Sequence, residues 1–242
     1  ATAVILIITV LLLFDLHLES KKELVQRFQA EQLVAARTLA REIESYLYDR
    51  AHRVDMLSSF QSLQNREMKK MAADIQTFFD YVKNYHVKAV SVYDEKGTII
   101  YSTTKEAIGR NYKQVDFFQW ATKKENKDKQ FISSLIQKTD NQTAPLPYSR
   151  FLITAPIYQE VKNTRSQKPT LKFVGIVTST IDLEEVVSSF LPFVSAYAHK
   201  EHAYILDSNG TVLFYSEHPG MALKNIRTQD KTCFKCHVSF NH

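Results

Sequence analysis

The spacing of apolar residues changes three times along this chain, and each change marks an element boundary. Residues 1–14 are almost wholly apolar. From 15 to 64 there is no Gly or Pro, and Ala36, Leu39, Ile43, Tyr46, Arg50, Arg53 and Leu57 recur at three- and four-residue steps with charges between them. That spacing predicts one long helix. From Leu18 to Phe60 it would run roughly 65 Å at about 1.5 Å per residue. Arg50 and Arg53 interrupt the stripe, so a perfect coiled coil is not expected. The helix should pack on its own domain for half its length and on a partner helix, in a homodimer, for the rest. A second stripe, Met68, Met71, Ile75, Phe78, Phe79 and Val82, predicts a helix over 66–84 capped by Asn65, with the methionines in the core.

The period then shortens to that of strands. Residues 87–93 and 98–102 flank Asp94-Glu95-Lys96-Gly97, whose terminal Asp and Gly suit a type I turn. Residues 113–123 read as a helix carrying Phe117, Phe118 and Trp120, and three strands follow at 130–137, 148–159 and 172–181. Residues 183–193 read as a connecting helix capped by Asp182. The first hairpin then returns: 203–214 echoes 90–101 at an offset of 113 residues, and 222–225 echoes 108–111 at 114. A repeat this long indicates two copies of one domain type.

Composition adds limits. A net charge of +5 is mild, and runs such as Lys123-Lys124-Glu125-Asn126-Lys127-Asp128-Lys129 interleave both signs, as solvated surface does. No nucleic-acid motif is present, and no Gly-rich phosphate loop, nucleophile elbow or framed carboxylate pair points to an enzyme. The apolar run at 1–14 is shorter than the roughly 20 residues a spanning helix needs, and the chain starts at Ala1. We read it as part of a transmembrane helix, a cleaved signal segment being the other reading.

Chemistry concentrates near the end. The only two cysteines lie in Cys233-Phe234-Lys235-Cys236-His237, the Cys-x-x-Cys-His pattern of covalent haem c attachment. Two thiols reach the two vinyl groups, and His237 binds iron beneath the ring. A redox disulfide, or zinc completed by His218 or His242, would use the same residues. For a haem, His218, Met221 and His242 are the sixth-ligand candidates beside an open site. Two strong ligands favour electron transfer or redox sensing, and an open site favours gas binding.

This order of elements resembles the Cache sensor domains of bacterial transmembrane receptors. The residues carrying the likeness are Gln32, Ala36, Arg37 and Ala40 within 28–43, the turn at 94–97, Ile108-Gly109-Arg110-Asn111, Asp116-Phe117-Phe118 and the second hairpin. His218-Pro219-Gly220-Met221, Lys224-Asn225-Ile226 and the cysteine motif look like haem-bearing Cache modules of sensor histidine kinases. The resemblance implies an α+β fold, a long helix followed by two PAS-like antiparallel-sheet modules, the second incomplete. The divisions would be a membrane segment (1–14), a signalling helix (15–64), a membrane-distal module (65–182), a connecting helix (183–200) and a membrane-proximal haem module (201–242). It implies a periplasmic sensor held at the cytoplasmic membrane, detecting redox state, a gas or a small molecule, with histidine kinase output past His242. An electron-transfer cytochrome and a haem-free small-ligand chemoreceptor are the alternatives. Many relatives bind amino acids through an Arg-x-Trp-Tyr segment; the comparable stretch at 113–118 lacks its Arg and Trp. Tyr112, Trp120, Tyr148, Arg150 and Asp182 are the remaining ligand candidates.

Overall fold

The chain is described by a computed structural model over residues 2–133, 150–161, 170–194, 204–207, 209–215 and 224–227. Helix α1 (Thr2–Ser58) leads into two short helical pieces, α2 (Gln61–Gln64) and α3 (Met68–Val82). Strands β1 (Val87–Asp94) and β2 (Ile99–Ser102), helix α4 (Asp116–Ala121), and strands β3 (Phe131–Ile132), β4 (Arg150–Val161) and β5 (Thr170–Asp182) follow. Helix α5 (Leu183–Val194) then joins the sheet to a second hairpin, β6 (Tyr204–Leu206) and β7 (Val212–Tyr215). The first five strands form one antiparallel sheet in the order β2-β1-β5-β4-β3; β6 and β7 pair separately.

Alternation along the strands gives the sheet two different faces. One face presents Val90, Val92, Ile153, Ala155, Ile157, Val177 and Ile181. It is covered by Val54 and Leu57 of α1, Met71, Ile75, Phe78 and Val82 of α3, and Val186 and Val187 of α5. The methionine stripe is therefore core at Met71, which is fully buried, while Met68 at the helix start is exposed. The other face carries Tyr93, Leu152 and Ile176 under Phe117, Phe118 and Ala121, with α4 as its cover.

Three sequence expectations are corrected. The long helix begins at Thr2 and stops at Ser58, not at 64. Phe60 is extended (φ −64°, ψ 131°), which lets both Leu57 and Leu63 enter the core. Ser58 and Ser59 help by donating their hydroxyls to the Asp55 and Met56 carbonyls at 2.7 and 2.6 Å. Asn65 does not start α3; it closes α2, its N–H donating to Gln61 and Leu63 carbonyls, and Glu67 precedes α3 without a side-chain cap. Arg50 does not merely interrupt the stripe. It is buried at 8% exposure, with the rings of Tyr46 and Tyr85 on its guanidinium. Among the described residues no helix is long and apolar enough to cross a membrane.

The repeated hairpin is built from the same bonds twice. Asp94 Oδ1 accepts from the backbone of Lys96 (2.9 Å) and Thr98 (2.8 Å); Asp207 Oδ1 accepts from Asn209 (2.9 Å) and Thr211 (2.8 Å). Those backbone bonds hold the Asp207 carboxyl below its usual range. The Asn111 amide donates to the Lys96 carbonyl, and the Asn225 amide to the Asn209 carbonyl, each at 3.0 Å. Gly97 (φ +83°) and Gly210 (φ +84°) close both turns in the conformation glycine tolerates best.

Gly175 is the tightest point of the sheet. Its φ is +150°, and a Cβ there would lie 1.9 Å from the Tyr93 carbonyl oxygen. Gly109 has φ +86° but open space around it. Gly175→Ala should therefore destabilise by about 3 kcal/mol or more, and Gly109→Ala by about 1 kcal/mol. Urea titrations of the two variants check the order; equal midpoints would contradict the packing described.

Candidate ligand-binding site

The α4-facing side of the sheet holds a polar row inside an apolar setting. Ladder register aligns Ser102 with Ser91, Ser91 with Thr178, Thr178 with Thr154, and Thr154 with Phe131. The four hydroxyl residues are at most 6% exposed. Ser91 and Ser102 share a 2.8 Å hydroxyl–hydroxyl bond, and Thr104 N–H donates to Ser102 Oγ at 3.1 Å. Thr154 and Thr178, at 0% and 1% exposure, hydrogen-bond no described residue through Oγ1. Tyr93 sits two positions along from Ser91, and burial pushes its hydroxyl far above the usual tyrosine range. Thr178 approaches that hydroxyl without closing a bond of normal geometry.

Aromatic rings cluster on the same face. Tyr93 meets Tyr112 edge-on at 5.7 Å and Phe117 at 5.9 Å, while Trp120 stacks against Phe131 at 5.2 Å. Helix α4 supplies Phe117, Phe118 and Trp120, and it is shorter than the predicted 113–123 because Val115 is extended and Thr122 ends it. Asp116 accepts from the Phe117 N–H at 2.7 Å, which fixes that helix start. Such a cage suits a small molecule with an apolar body and an oxygen or nitrogen to pair with a hydroxyl.

The five predicted ligand residues separate. Tyr112 and Trp120 are half-buried at the rim of this cluster, as a binding role needs. Arg150 is half-buried opposite Asp182 at the far end of the β4–β5 ladder. Asp182 is 7% exposed, and its carboxylate accepts the Glu185 N–H at 3.2 Å, so it caps α5 as the helix reading expected. Tyr148, Cys233, Cys236, His237, His218, Met221 and His242 lie outside the described residues. Among the described residues no group of three or more His, Cys, Asp or Glu is placed to hold a metal. Sequence reading missed Ser91, Ser102, Thr154 and Thr178, since threonine and serine in a strand look like ordinary sheet formers. Only register shows that they share one row.

A Cache domain model matches residues 18–234, and the chain belongs to that family. No curated protein matches it in sequence. Among solved structures, an extracellular ligand binding receptor from Desulfohalobium retbaense DSM5692 is similar at 14% identity and TM-score 0.61, over 82% of this chain and 33% of that one. This chain thus spans a third of that receptor's length. The V. cholerae histidine kinase DctB sensor domain is similar at 13% identity and TM-score 0.58, over 87% and 76%. The ligand-binding domain of the Campylobacter jejuni chemoreceptor Tlp3, in complex with 4-methylisoleucine, is similar at 12% identity and TM-score 0.55, over 84% and 75%.

An unpaired buried hydroxyl costs roughly 1–3 kcal/mol, so Thr154→Val and Thr178→Val should each raise the stability of the ligand-free chain by about 1 kcal/mol. Ser91→Ala, which removes the Ser91–Ser102 bond and leaves Ser102 only the Thr104 N–H, should lower it by about 1 kcal/mol. Denaturant midpoints test this, and destabilisation by both valines would show that the hydroxyls are satisfied in solution.

Proposed function

We propose that this chain is the extracytoplasmic sensing region of a membrane receptor, and that a small molecule binds on the α4 side of its sheet. The single observation carrying the site is the buried Thr154 hydroxyl, which has no hydrogen-bond partner among the described residues and lies beside Thr178 at the edge of the aromatic cluster. Family membership and the sensor-domain neighbours support the receptor role. The matching hairpin bonds support reading 65–182 and 201–242 as two modules. Helix α5 continues straight from β5 and packs on α1 and β7, which gives a bound ligand a route to the second hairpin. Leu24, Val25, Phe28, Leu33 and Val34 of α1 stay 45–69% exposed, which suits a partner helix in a homodimer. Output through a histidine kinase is the corresponding reading of the longer protein.

Thermal-shift screening of the twenty amino acids and of short carboxylates tests the site. A ligand at 100 times its Kd stabilises by about 2.7 kcal/mol. That shift should vanish in a Thr154→Val, Thr178→Val double variant, although the variant itself is no less stable. A double variant that keeps the whole shift would place the ligand elsewhere.

A second reading rests on the motif at 233–237. Cys233 and Cys236 would tether one haem c, and His237 would ligate its iron, with His218, Met221 or His242 opposite. Bound, the haem would supply a redox or gas-sensitive centre. Expression with cytochrome c maturation should then add one haem mass per chain, and Cys233→Ala with Cys236→Ala should abolish it. Unmodified mass from matured material would leave the small-molecule reading alone.

A further inference from the structure

The guanidinium of Arg50 brings positive charge into the junction between α1 and the start of β1 without a full countercharge. Its side chain is 10% exposed. The Tyr46 and Tyr85 rings lie 5.1 and 4.6 Å from its Cζ, and they stabilise the cation while accepting none of its in-plane N–H groups. Among the described residues the one carboxylate paired with it is shared. Asp49 Oδ2 lies 3.2 Å from Arg50 Nη2 and 2.8 Å from Arg53 Nε. Asp49 is 44% exposed, and the Arg53 bond is the main cause of its lowered pKa, so the carboxylate belongs chiefly to Arg53. Nε and Nη1 of Arg50 are buried and bond to no described residue.

The groups facing this cation from other elements do not neutralise it. Tyr46 is neutral, its hydroxyl donates to the Tyr85 carbonyl, and burial pushes its pKa up to about 12. On α5, Glu185 already pairs with Lys88 and approaches His86 Nδ1 at 3.6 Å. Among the described residues Arg50 and Arg53 thus share one carboxylate, Asp49, while Glu185 is taken by Lys88. Water would satisfy an N–H but not the charge, and a buried guanidinium short of both is costly.

We propose that a compact monoanion binds at Arg50, accepting from Nε or Nη1, at a site separate from the α4 face. Bound there, it would pin α1 to the turn that enters β1. Chloride is the inorganic form of this chemistry, and a small carboxylate such as acetate is the organic one.

Thermal melts of the full chain at constant ionic strength test this, replacing sodium gluconate stepwise by sodium chloride, bromide or acetate. Wild type should gain stability along a saturating curve with the small anions. The arm that saturates at lower concentration identifies the source. Arg50→Gln should flatten the curve. Asp49→Asn removes the competing carboxylate while leaving Arg50 in place, and should lower the half-saturation concentration about tenfold. If Arg50→Gln does not fold, the Asp49→Asn shift decides alone. A response that is linear and alike for all anions, absent altogether, unchanged in Asp49→Asn, or retained in a folded Arg50→Gln chain overturns the proposal.

Discussion

The fold depends on one contact, the last three turns of α1 lying across β4 and against α5. Val54 and Leu57, 1% and 0% exposed, press into the sheet face that Ile153, Ala155 and Ile157 present. Burying one such side chain is worth roughly 1.5–3 kcal/mol. The ion pairs around this contact, Arg53–Asp49 and Lys88–Glu185, are partly exposed and contribute about 0–1 kcal/mol each. Apolar packing therefore holds the long helix to its domain. Tyr46 fixes the rotation of the helix further, bonding to the Tyr85 carbonyl while its ring meets Phe190 of α5 edge-on.

That arrangement assigns the two sheet faces different work. Among the described residues the helix-covered face is closed by three helices, and its one buried strand hydroxyl is Ser179. The α4 face is covered, among the described residues, by the six residues of α4 and by rings stacked edge to face. Its hydroxyls tax stability unless something pairs with them. A sensor needs such a face, because a ligand shifts an equilibrium only through contacts that one state makes better than another.

Much of the fold was legible because periodicity records burial. The helix stripes, the Asp94 turn, its echo at Asp207 and the α5 cap at Asp182 all follow from local chemistry, and the structure shows the bonds. The hydroxyl row was not legible. Which strand faces meet depends on a five-stranded order in which β1 pairs with β5, about ninety residues away in sequence, and no local pattern encodes that pairing. Asp182 was legible as a helix cap, because its place just before the apolar stripe of α5 is a local signal, and the bond to Glu185 N–H is there. Arg50 shows a second kind of failure, since a charge in an apolar stripe looks like an interruption unless the tyrosines that cover it are known.

The helix cap joins these observations. Asp182 ends the strand whose Thr178 lies in the hydroxyl row, starts α5 by accepting from Glu185, and donates its own N–H to the His86 carbonyl at 3.1 Å. His86 sits at φ +63°, one residue after Tyr85, whose ring lies on Arg50. A shift of β5 by a fraction of an ångström would therefore be felt at the α5 start and at the Arg50 junction together, because no flexible linker separates them. Lys88 holds the Glu185 carboxyl below its usual range. That link accordingly contributes above the ordinary glutamate pKa, persists at neutral pH, and is lost only as pH falls through the lowered value. Backbone bonds and packed rings thus link the strand of the hydroxyl row to the long helix, and the Lys88–Glu185 pair among them holds at neutral pH.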